Sequence, residues 1–151
     1  MIGALQAAAA QSITFGVDSG AAVTVIGRDA ASDYPRSHAA HKKRMTDCQG
    51  NDVPDLGTKD LELRGESGQP CFARATVAPV AENLMAVSSL LGQGHEVAFR
   101  PGSAGGSFIR HMGTGRWQPM IAKNGVFEVT FGLQPFATRS AVPPRGPSGG
   151  K

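Results

Sequence analysis

The chain has 151 residues, 40% of them hydrophobic and 18% charged, which is one domain's worth, enough to bury a core, and excludes a wholly disordered polypeptide. A net charge of +3 and a pI near 9.2 are only mildly basic, and the one dense basic run, His41-Lys42-Lys43-Arg44, has no interleaved aromatic residue to stack bases, so no nucleic-acid partner is expected. No stretch approaches the ~20 apolar residues of a membrane span, and two cysteines, Cys48 and Cys71, are too few for a disulfide framework.

These features imply a soluble, thiol-reduced, intracellular protein, with the cytoplasm as its expected location. Gly at 20 and Pro at 10 imply many turns and few long helices, hence an all-β fold. Residues 1–11, with an alanine run but no basic start, are expected to form a flexible leader rather than a signal peptide.

From Ser12 the pattern tightens. Ile13, Phe15 and Val17 alternate with Thr14 and Gly16 at strand period. The strand runs into Asp18-Ser19-Gly20 and resumes as Ala21-Ala22-Val23-Thr24-Val25-Ile26, which predicts a tight corner between two apolar strands. Arg28 to Tyr34 is expected to form one helical turn, closed by Pro35, and residues 36–55 read as a long polar segment with turn signals at Gly50-Asn51-Asp52 and Pro54. Leu61 and Leu63, then Phe72, Ala73, Ala75 and Val77, predict a hairpin around Glu66-Ser67-Gly68-Gln69-Pro70. Leu84, Val87, Leu90 and Leu91 have helix spacing, with Gly92 or Gly94 as the stop. Short strands are expected over 96–99, 107–111 and 117–122, and Asn124-Gly125 predicts a hairpin into Val126–Phe131. Domain boundaries follow: a folded domain over 12–132 and a disordered Pro/Gly-rich tail over 133–151.

The corner carries the candidate chemistry. Flanking strands would fix the aspartate backbone, Gly20 would permit a turn that a side chain obstructs, and Ser19 offers a hydroxyl to lock it. Desolvation in an apolar corner favours the protonated form of a carboxylate, and two carboxylates at close range share one proton. The ionised member then takes a proton from water while the protonated one hydrogen-bonds a scissile carbonyl, which is peptide hydrolysis by general acid–base catalysis. The chemistry needs two aspartates and the chain holds one Asp-Ser/Thr-Gly, so a symmetric homodimer is expected. A plain surface turn is the competing reading of Asp-Ser-Gly.

Phe15-Gly16-Val17-Asp18-Ser19-Gly20-Ala21-Ala22-Val23-Thr24-Val25-Ile26 resembles the active-site strand of the retropepsins: apolar residues, Asp-Thr/Ser-Gly-Ala, then more apolar residues. Glu82-Asn83-Leu84-Met85-Ala86-Val87-Ser88-Ser89-Leu90, then Gly94-His95-Glu96-Val97-Ala98-Phe99, resembles the Asn-Leu-x-Ser-Val-x-x-Leu…Gly…Val-x-Phe stretch of copia-type retrotransposon proteases, and Gly125 to Val129 resembles the strand that closes that region. The resemblance covers about residues 12 to 131. It implies a small acid-protease barrel with one short late helix and a C-terminal β-hairpin extension, acting as a homodimer on a polypeptide, with retroelement polyprotein processing as the expected role. It also implies Asp18 as the catalytic carboxylate, Ser19, Gly20 and Ala21 as loop support, and a flap over about 45–57 with Gly50, Asn51 and Asp52 near its tip. The triplet before the late helix reads Ala81-Glu82-Asn83, without the glycine that many retropepsins carry there.

No cofactor or metal is expected. His38, His41 and Cys48 match no common zinc spacing, a nucleophile pair of Cys71 with His95 or His111 has no supporting motif, and the glycine-rich runs at 102–106 and 113–115 lack the strand–loop–helix order of phosphate sites. Trp117 is expected in the core or at a dimer contact. Two alternatives stand beside the peptidase: a catalytically inactive domain kept for dimerisation or peptide binding, and a basic β-rich nucleic-acid-binding fragment.

Overall fold

The structure, a computed structural model, describes residues 11–38, 44–47, 49–66, 68, 70–100 and 106–139. Among these residues it is all-β apart from one short helix and a 3-10 turn. In chain order the strands are β1 (Ser12–Asp18), β2 (Val25–Gly27), β3 (Met45–Thr46), β4 (Asp52–Val53), β5 (Thr58–Arg64), β6 (Pro70–Ala78) and β7 (Asn83–Ala86). The helix α1 (Val87–Gly92) follows, then β8 (His95–Ala98), β9 (Phe108–His111), β10 (Trp117–Pro119), β11 (Ile121–Lys123), β12 (Val126–Leu133) and a 3-10 turn at Phe136–Thr138. Among the described residues no helix is long and apolar enough to cross a membrane.

The main sheet runs β1-β7-β2-β6-β5-β12-β11, and β12 also pairs with β1, so six strands close on themselves. Closure removes the free edges that an open sheet would expose. The alternation read from β1 holds: Ile13, Phe15 and Val17 are buried while Ser12 and Thr14 face out. Phe15 meets Phe131 edge-to-face with centroids 6.2 Å apart, and Ile26, Leu61, Leu63, Val77, Met85, Leu90 and Val129 fill the interior with almost no exposure. The β5–β6 hairpin forms in continuous register from Thr58↔Thr76 to Arg64↔Pro70. Its Glu62 side chain is fully buried and is held by Arg64 on the same face.

The connection between β1 and β2 positions the candidate site. These two strands are consecutive in the chain, yet β7 lies between them, parallel to β1 and antiparallel to β2. Residues 19–24 must therefore arch across the end of β7, where Ala86 sits opposite Asp18 and α1 begins.

Against the barrel packs a three-stranded antiparallel sheet, β10-β9-β8. Val97 and Ile109 turn inward to the core, and Gln118 donates to the Thr130 carbonyl while its Oε1 accepts the Glu66 N–H at 3.2 Å. The β11–β12 hairpin turns at Asn124 (φ +53°) and Gly125 (φ +80°), the left-handed pair that an Asn-Gly turn supplies.

Several expectations are corrected. The second strand begins at Val25, not Ala21, because residues 21–24 are spent on the arch. Leu84 to Ala86 is strand rather than helix, leaving α1 only six residues. Trp117 lies on the outer face of its sheet, 56% exposed, against the edge of Phe108 rather than in the core. Residues 133–139 belong to the fold: Leu133 is buried and paired with Leu63, the Phe136 ring packs edge-on to Tyr34 at 5.4 Å, and Arg139 donates to the Asp60 carbonyl. The rest of the expected tail, like residues 1–10, lies outside the described residues.

Candidate active site

Asp18 ends β1 with a partly buried side chain, while Val17 before it is buried and Ser19 and Gly20 after it are exposed. The expected buried corner is therefore a rim position, with the carboxylate resting on the barrel's end. One oxygen is fixed: Asp18 Oδ1 accepts the Gly20 N–H at 2.8 Å, and the Asp18 carbonyl accepts the Ala21 N–H at 3.4 Å. Among the described residues no cation pairs with this carboxylate.

Gly20 has no left-handed φ, and a methyl group there would meet only Asp18 Oδ1, at an ordinary 3.4 Å. The fold of a single protomer thus tolerates a side chain at 20, contrary to the expectation that the turn excludes one. Ala21 is half-buried beside it.

Two polar side chains hold the arch. Thr24, almost fully buried, accepts the Ala86 N–H at 3.1 Å and lies 3.4 Å from Ser89 Oγ, tying the far foot of the arch to the start of α1. Asn83 accepts the Gly27 N–H at 2.9 Å and donates to the Thr14 carbonyl at 3.1 Å, so one amide bridges β2 and β1 across β7. Neither role was read from the sequence, where Asn83 entered only as part of a motif and Thr24 as one more strand residue. A pocket of about 490 Å³ lined by Gly27, Arg28, Asp29, Ala30, Pro79, Val80, Ala81 and Asn83 opens at the opposite end of β7 from Asp18.

The segment expected to be a flap is a short antiparallel hairpin, Met45↔Val53 and Thr46↔Asp52. Its tip is organised by Asp47, whose Oδ1 accepts the N–H groups of Gln49 and Asn51, both at 2.9 Å. Gly50 there takes φ +86°; Asn51 and Asp52 are exposed, and Asp52 forms a loose ion pair with Arg44 at 3.7 Å. The N–H of Asn51 first, opposed next by desolvation and then joined by the N–H of Gln49, holds the Asp47 carboxyl below the usual aspartate range. A depressed carboxyl contributes order that is complete above the ordinary aspartate value and is lost as pH falls through the lower one. The protection of the Gln49 and Asn51 amide protons, taken against their intrinsic exchange rates, is accordingly expected to fall below about pH 4, and at all pH values in Asp47→Ala. Protection factors measured by NMR that change neither with pH nor with the substitution would contradict this account of the tip.

The other candidates separate. Burial pushes the Cys71 thiol up to about 12, which withholds the thiolate that nucleophilic catalysis requires. Among the described residues no three His, Cys, Asp or Glu side chains gather to hold a metal ion; His38 is exposed, and His41 and Cys48 lie outside those residues, as does most of the basic run at 41–44. Asp55 is buried and accepts the Gly57 N–H at 2.9 Å, a turn-forming role. Compared with protein-family models, with curated proteins and with solved structures, the chain matches none.

Proposed function

We propose that the protein is an aspartic endopeptidase that works as a homodimer, each protomer contributing Asp18. The observation that carries this reading is the placement of Asp18: a part-exposed carboxylate at the end of a core strand, one oxygen oriented by Gly20 N–H, no cation beside it among the described residues, and the arch around it anchored by Thr24 and Asn83. A group so presented is available to a twin across a two-fold axis and to a substrate bound between them. The open space beside Gly20 within one protomer is compatible with the same reading, in which a partner or substrate is seated there. In the dimer one carboxylate takes the proton from the attacking water and the other, protonated, polarises the carbonyl. Ser19 and Ala21 complete the loop, and the hairpin with Gly50, Asn51 and Asp52 at its far side covers the substrate. The substrate class follows as polypeptide, with retroelement polyprotein processing as the role the sequence resemblance suggests.

The test is hydrolysis of a peptide library at acidic pH. Cleavage should be blocked by pepstatin-type inhibitors, and chelators should leave it intact. A dimer that forms but cleaves nothing would leave the domain as a non-catalytic dimerisation module and overturn the enzymatic reading.

A further inference from the structure

Two imidazoles meet at one end of the three-stranded sheet. His95 opens β8, His111 closes β9, and the antiparallel register sets them directly opposite one another. Both are half-buried; their ring centroids are 5.1 Å apart with the planes inclined at 57°. Each ring is tethered through its Nδ1, that of His95 to the Leu90 carbonyl oxygen at 3.3 Å and that of His111 to Thr114 Oγ1 at 3.0 Å.

A carbonyl oxygen only accepts, so the His95 tether places a proton on Nδ1 and leaves the lone pair on Nε2. The Thr114 hydroxyl can accept from the His111 Nδ1–H in the same way, leaving that ring's Nε2 bare as well. A histidine whose Nδ1–H is held by an oxygen while Nε2 carries a lone pair is arranged as metal-ligating histidines are. The spacing agrees. With Zn–N near 2.0–2.1 Å, and roughly 1.2 Å from nitrogen to ring centre, two imidazoles at a tetrahedral angle have centroids about 5.2 Å apart. Gly113 leaves the approach open: a side chain there would come within 3.1 Å of His111 Cε1.

We propose that His95 and His111 form a binding site for a divalent transition-metal ion of the zinc–copper class, its remaining positions filled by water. The ion would staple β8 to β9 and stabilise the sheet; the site is independent of Asp18 and of the peptidase reading. The sequence offers no sign of it, because residues 95 and 111 match no metal-site spacing and only strand register joins them.

The test uses the untagged full chain, stripped of metal, titrated with zinc and with nickel chloride by calorimetry and by thermal melting. One ion should bind per chain with a Kd in roughly the micromolar range, and at about a hundredfold excess over Kd the melting temperature should rise by about 5 °C or more. His111→Ala should weaken binding at least about tenfold and Thr114→Ala by a smaller factor, while His38→Ala leaves it unchanged; the NMR signals of the His95 and His111 rings should shift on zinc addition in the parent chain. No saturable binding, or binding that His111→Ala leaves intact, would overturn the proposal. If His111→Ala fails to fold, zinc-induced shifts confined to His38 or other residues of the parent chain would overturn it equally.

Discussion

Asp18→Asn is expected to lower peptide hydrolysis by about 10³-fold or more while leaving the fold in place. General acid–base catalysis by a positioned side chain contributes roughly 10²–10⁴-fold, and in a symmetric dimer the substitution removes both carboxylates at once. The fold should survive because an asparagine Oδ1 can still accept the Gly20 N–H that now goes to the carboxylate at 2.8 Å. Asp18 lies at the barrel rim and none of the ion pairs among the described residues includes it, so the stability should change by no more than a surface substitution usually changes it, about ±0.5 kcal/mol, and the melting temperature should barely move. Kinetics and melting on the same sample separate the possibilities. Full activity in Asp18→Asn would exclude this carboxylate from the chemistry; lost activity with a collapsed melting temperature would make Asp18 a structural residue instead.

Asn83→Ala should act on the opposite quantity. The Asn83 amide serves two strands at once, accepting from Gly27 in β2 and donating to the Thr14 carbonyl in β1. Both partners are backbone groups on the strands that frame the arch, and alanine leaves both without this partner. The bond to Gly27 is part-buried and the one to Thr14 is exposed, so each is worth the net value of an ordinary hydrogen bond, about 0.5–1.5 kcal/mol, and a loss of about 1–3 kcal/mol overall is expected. For a domain of this size that lowers the melting temperature by roughly 3–8 °C. Asn83→Asp keeps the acceptor and loses the donor, so it should fall between the two. Denaturant or thermal unfolding measures the order of the three proteins; an Asn83→Ala chain as stable as the parent would show that other contacts hold β1, β7 and β2 together.

Much of the barrel was legible in the chain because several of its strands alternate buried with less buried positions along part of their length. Ile13, Phe15 and Val17 announce β1 by alternation, Leu61 and Leu63 announce β5, and Asn124-Gly125 announces the last hairpin through its left-handed backbone. β7 was not legible as a strand. It is flanked by β1 and β2, and Leu84-Met85-Ala86 runs apolar without alternation, which short runs share with helices. Residues 133–139 were lost to composition: Pro135 and the small polar residues read as tail, while Leu133, Phe136 and Arg139 supply contacts that only the folded neighbours Leu63, Tyr34 and Asp60 reveal.

The site was legible in its residue types more than in its surroundings. Asp18-Ser19-Gly20 does end a core strand, as the pattern implied, but the carboxylate rests at the rim because residues 19–24 must travel over β7 to reach β2. Nothing local in the sequence encodes that insertion; it depends on pairing between segments far apart in the chain, such as Asp18 with Ala86. The same is true of His95 and His111, which strand register alone brings together.

In the proposed dimer one catalytic unit contains two copies of Asp18, and subunit mixing distinguishes this from any other arrangement. Parent chain and Asp18→Asn chain are combined in varying proportion at constant total concentration, allowed to exchange subunits, and assayed for peptide hydrolysis. If both aspartates are required, activity follows the square of the parent fraction, so an equal mixture retains about one quarter of the activity of the pure parent. Activity of about one half in the equal mixture, as for protomers acting independently, or of about three quarters, as for a dimer that needs only one Asp18, would contradict the shared-proton dimer.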